Sequence, residues 1–92
     1  MRAEKAQEAL LKELKILPFD ERLRSAREAA RDLFERAWSA ASSQGMDMSE
    51  AETAGLYEQC LVWSLGLCGI NIPKGILTSN DMLSMLVKEA LP

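Results

Sequence analysis

The sequence predicts an all-α fold: a small four-helix bundle-like domain with its third helix central. Three observations predict it. Good helix formers dominate a chain that has only three prolines and five glycines. Apolar residues recur at helical spacing in four segments. Short runs of turn and capping residues separate those segments, with no internal repeat and no linker long enough to divide domains, so residues 1–92 are expected to form one domain.

The first helix is expected over about residues 3–17. Ala3, Ala6, Leu10, Leu14 and Leu17 fall on one stripe, with Glu and Lys elsewhere. Pro18 then disfavours a helical Leu17. Asp20 is a suitable N-cap for a second helix over about 21–42. Its apolar stripe is Leu23, Ala26, Ala30, Leu33, Phe34, Ala37 and Ala41. On the opposite face Arg24–Glu28, Arg31–Glu35 and Asp32–Arg36 are spaced for i,i+4 pairing.

"SSQGMDM" reads as a loop, with Gly45 suited to end the second helix. Ser49 and Glu52 form a capping box that starts a third helix over about 50–69. After an irregular "GINIPKGILTSND", Thr78 and Asp81 offer another box before a last helix over about 79–91. Leu83, Leu86, Val87 and Ala90 form its apolar stripe.

Composition narrows the function classes. The chain is 48% apolar and its net charge is −3, which argues for a folded domain without global attraction to nucleic acid or anionic membrane. The charge is uneven: residues 1–36 hold nine Lys/Arg and eight Asp/Glu, residues 37–92 two and six. The mixed-charge start resembles neither a secretory signal nor a transit peptide. With a weak two-cysteine framework, the expected location is cytoplasmic.

No motif for catalysis, metal or nucleotide binding emerges. There is no histidine, so a His-dependent triad and a His-ligated metal are excluded. Cys60 and Cys68 lie about 12 Å apart along a helix and about 80° around it, too far for a disulfide. Both read as packing residues. "DMSEAE" lacks the calcium-loop pattern. Ala41 and Gly45 stand as they would in a helix-turn-helix, but the reading helix would carry Glu50, Glu52 and Glu58 and no cation. Met46, Met48, Met82 and Met85 read as core fillers rather than an adaptable groove. The chain is thus expected to be non-catalytic, with no cofactor and no metal.

The informative stretch is "QCLVWSLGLCGINIP", Gln59 to Pro73, which carries no charge. It is too short for a membrane span, which needs about 20 residues. At 100° per residue, Leu56, Cys60, Trp63 and Leu67 share one sector and are expected to face the core. Leu61, Val62 and Leu65 then point away from it. Leaving three such side chains in water would forfeit about 5–9 kcal/mol of burial, at about 1.5–3 each, which rivals the whole stability of a small domain.

Something must therefore cover them. The candidates are the "INIPKGIL" loop, the N-terminal helix, a second copy, or another protein. If Ile70, Ile72, Ile76 and Leu77 fold back, helix three is simply the centre of the domain. Otherwise Leu61, Val62, Leu65, Ile70, Ile72 and Ile76 form an interaction surface, with Trp38 at its rim.

The functional expectation is a protein–protein interaction or self-association module, quite compatible with a homodimer. Two alternatives come from other classes. One is a small apolar-ligand or acyl-chain carrier with its pocket between helices three and four. The other is weak nucleic-acid contact through the arginines of helix two, Arg22, Arg24, Arg27, Arg31 and Arg36. Interleaved acids weaken that last alternative.

Overall fold

A computed structural model describes residues 2–17, 19–72 and 81–91. They form four helices: α1 (Arg2–Glu13), α2 (Glu21–Ser43), α3 (Glu50–Leu67) and α4 (Asp81–Ala90). The helices pack on one another, and α3 touches all three others; α4 also lies against α2. The fold is the all-α four-helix domain expected, with α3 at its centre.

The helix ends follow from local chemistry. Asp20 caps α2, its carboxylate accepting from the Arg22 backbone N–H at 2.9 Å. Ser49 and Glu52 close the capping box of α3 reciprocally, both bonds at 3.1 Å. At the other ends, α2 and α3 stop at glycines in the left-handed region, Gly45 (φ 75°) and Gly69 (φ 86°). In both, the next residue's N–H reaches back five residues: Met46 to the Ala41 carbonyl, and Ile70 to the Leu65 carbonyl, each at 3.0 Å.

Helix α1 is shorter than expected. It ends at Glu13 rather than near Leu17, because Lys15 takes the same left-handed turn without a glycine (φ 56°). The Ile16 N–H bonds to the Leu11 carbonyl at 3.1 Å, closing the same kind of cap. Leu10 and Leu11 are buried, and Leu17 is exposed. Ala3 and Ala6 fall outside the described side chains. Pro18, Thr78, Leu77 and Ile76 fall outside the described residues, as do the two positions before α4.

The core joins Leu10 and Leu11 to the stripe of α2, to Leu56, Cys60, Leu61 and Leu65 of α3, and to Leu83, Leu86 and Val87 of α4. Met46, Met48 and Met82 pack against it. The i,i+4 pairs expected along α2 do not form. Among the described residues the ion pairs are Arg22–Asp20 at 2.9 Å and Arg27–Glu8 at 3.2 Å. Exposed pairs gain so little that long side chains need not hold them.

Candidate functional site

The rotation of α3 is the main correction to the sequence reading. Leu61 and Leu65 are completely buried, whereas Trp63 is 41% and Leu67 73% exposed. Leu56 and Cys60 are buried as expected, while Trp63 and Leu67 change places with Leu61 and Leu65. The reason is that α3 is enclosed by three helices, and its buried arc sweeps from Leu56 through Cys60 and Ser64 to Leu61 and Leu65. Leu61 and Leu65 thus belong to the core and offer no surface.

What remains outside follows from a single stripe. Gly55, Gln59, Val62 and Gly66 recur at i, i+4, i+7 and i+11, so they lie along one side of α3. Its first half meets α4. A Cβ at Gly55 would approach the Leu83 Cδ1 to 3.1 Å, and the Ser84 hydroxyl donates to the Gln59 Oε1 at 3.2 Å. Gly55 thus marks a close approach of α3 to an α4 side chain.

Beyond Gln59 the described contacts with α4 end. Val62, Trp63, Gly66 and Leu67 line an open groove of about 430 Å³ together with Ile70, Asn71 and Ile72. Ile70 is held there by the α3 cap, and Val62, Ile70 and Ile72 are half-buried against the core. Among the described residues, no charged side chain lines this groove. Among the described residues, a Cβ at Gly66 would meet nothing within 4 Å, so none of them fills the floor of the groove.

Of the residues expected at the surface, then, the fold brings together Val62, Ile70 and Ile72. Trp38 lies apart: it stacks on Phe34 with ring centroids 6.0 Å apart, and Phe34 in turn meets Tyr57 at 5.1 Å. Trp63, Gly66 and Leu67 were missed as surface residues. The signal that finds them is the stripe from Gly55, which is easier to see than the large apolar residues that obscure it.

The titratable groups of α3 are consistent with packing rather than reactivity. Both cysteines are free. Burial pushes the Cys60 thiol up to about 12, so it stays protonated and a poor nucleophile at neutral pH. Burial, with a smaller contribution from the nearby Glu13 charge, also raises Glu58 above the usual carboxylate range. Among the described residues no group of three or more His, Cys, Asp or Glu could hold a metal ion. Nor is any helix there long and apolar enough to cross a membrane.

Fold and groove together define a small all-α domain with an open apolar face on which no described side chain is charged. No protein-family model matches the chain, and neither a curated protein nor a solved structure matches it.

Proposed function

We propose that the chain is a non-catalytic helical module that works by protein–protein contact, first of all with a second copy of itself. The observation that carries this reading is the groove at the end of α3, where protruding Trp63 and Leu67 flank the empty floor at Gly66. A glycine inside an exposed helix costs about 0.5–1 kcal/mol relative to alanine. Among the described residues of one copy, nothing approaches Gly66 within 4 Å to make that cost useful.

A neighbouring side chain from outside would make it useful. A protrusion and a hollow one turn apart on the same patch are self-complementary, as a two-fold contact requires. None of the described lining residues is charged, so they set up no repulsion between two identical patches. The open shape favours a protein surface over an acyl chain, which is bound in a cavity that encloses most of it. Free cysteines fit a reducing compartment, so we place the protein in the cytoplasm.

The test is solution mass by light scattering from about 10 to about 500 µM, a range chosen for a weak contact of small area. The wild type is expected to approach twice its monomer mass. Leu67→Glu should remain monomeric with unchanged helical circular dichroism. Gly66→Leu should also abolish the dimer while raising monomer stability by about 0.5–1 kcal/mol, two effects of opposite sign. A wild type that is monomeric throughout, or a Leu67→Glu protein that still dimerises, overturns the reading.

A further inference from the structure

A second groove, independent of the first, lies between α1 and α2. Both helices pack on α3, yet among the described residues their backbones do not meet each other. The valley left between them has a volume of about 680 Å³, and Tyr57 of α3 lines it. Lys5 and Lys12 stand on its α1 side, Arg27 and Arg31 on its α2 side. Among the described residues, the one carboxylate in the lining is Glu8, which Arg27 already holds at 3.2 Å.

Two rows of cations thus face each other in a chain whose net charge is −3. Lys5, Lys12 and Arg31 have no ion-pair partner among the described residues. The Arg27 Nε is shut off from solvent and finds no acceptor. A donor excluded from water without an acceptor is costly, and like charges brought together repel, so both features favour an anion between the helices. The neighbouring depression differs instructively. Its cations Arg24, Arg27 and Arg31 are balanced by Asp20, Glu21 and Glu28, and it has no excess to offer.

We infer that the α1–α2 groove, through Lys5, Lys12, Arg27 and Arg31, binds a carboxylate-rich helical segment of a partner protein. Lys5 and Lys12 are seven residues apart, two helical turns or about 10.5 Å, which matches carboxylates two turns apart, at i and i+7, on a docked helix. Arginine guanidinium groups grip carboxylates in a fork, and Ala9 and Tyr57 supply apolar wall for the helix's other side chains. A nucleic-acid strand fits less well. Its unbroken phosphates would pass Glu8 and approach a protein of net negative charge.

The probe is a fluorescent alanine-based peptide of about 14 residues, long enough to begin to hold a helix, with glutamates at i, i+4, i+7 and i+11. Its glutamine counterpart and a single-stranded oligonucleotide of similar length are the comparisons, read by polarisation at low and moderate salt. The glutamate peptide should bind, the glutamine one at least tenfold more weakly. Lys12→Gln and Arg31→Gln, both exposed, should each weaken binding about 3–5-fold, and together about tenfold or more. Amide shifts in nitrogen–proton spectra should cluster at Lys5, Ala9, Lys12, Arg27, Arg31 and Tyr57. Equal binding of the two peptides, no binding, tighter binding of the oligonucleotide, or shifts centred on Leu67 would each overturn the proposal. Because Leu67→Glu should bind the peptide normally, loss of the dimer and loss of this site are separately visible.

Discussion

The two sides of α3 have similar compositions and different fates. One carries Leu56, Cys60, Leu61, Ser64 and Leu65, all at most 0% exposed; the other carries Val62, Trp63, Gly66 and Leu67, most of it open to solvent. Hydrophobicity alone does not distinguish them. Geometry does: three neighbouring helices enclose the first, while α4 covers the second only as far as Gly55 and Gln59. An apolar residue is in the core because something reaches it, and α4 is ten residues long.

The sharpest test of that difference is to truncate one leucine from each side. Leu65→Ala should cost about 2–5 kcal/mol, because the surrounding core cannot collapse fully into the space. For a domain this small, that is much of the total stability. Leu67→Ala, measured at low concentration, should change stability by less than about 0.5 kcal/mol. Chemical denaturation of the two variants checks it. Similar losses would mean that the faces are not divided as described.

A smaller effect, of opposite sign, lies inside the buried side. The Ser64 hydroxyl is fully enclosed and has no hydrogen-bond partner. An enclosed polar group of this kind costs about 1–3 kcal/mol, and alanine is also the better helix former. Ser64→Ala should therefore stabilise the protein by about 1 kcal/mol, raising its melting temperature by several degrees. If the variant melts lower instead, the hydroxyl has a partner and the buried side is better satisfied than it looks.

Much of this architecture was legible in the residues. Asp20, the Ser49–Glu52 box and Gly45 mark their helix ends because capping is local chemistry, written within a few positions. Lys15 was not legible as an end, since a left-handed lysine is sustained by its cap bonds rather than by its side chain. The rotation of α3 was not legible either. A helix apolar on every side gives no periodic signal, so its orientation is decided by where other helices land. The valley of Lys5, Lys12, Arg27 and Arg31 was hidden for a related reason. Each helix alone looks charge-balanced, and only their packing turns the cations toward one another.

The finest probe of the division is a charge at its edge. Glu58 lies seven residues before buried Leu65, on the same side of α3, and is half-buried near Glu13. Burial first and the Glu13 charge second raise its pKa in the folded state above the unfolded value. The folded protein therefore holds that proton more tightly. Its contribution favours folding below the unfolded carboxylate range, and that advantage is lost as pH rises through the folded pKa. At neutral pH the ionised Glu58 is a net burden. Glu58→Gln should accordingly melt higher than wild type at pH 7, with the gap shrinking as pH falls towards about 4, the ordinary carboxylate range. Thermal melts by circular dichroism across that range decide it. A gap that is constant with pH would place Glu58 in solvent, and move the edge of the buried side of α3 inward by one turn.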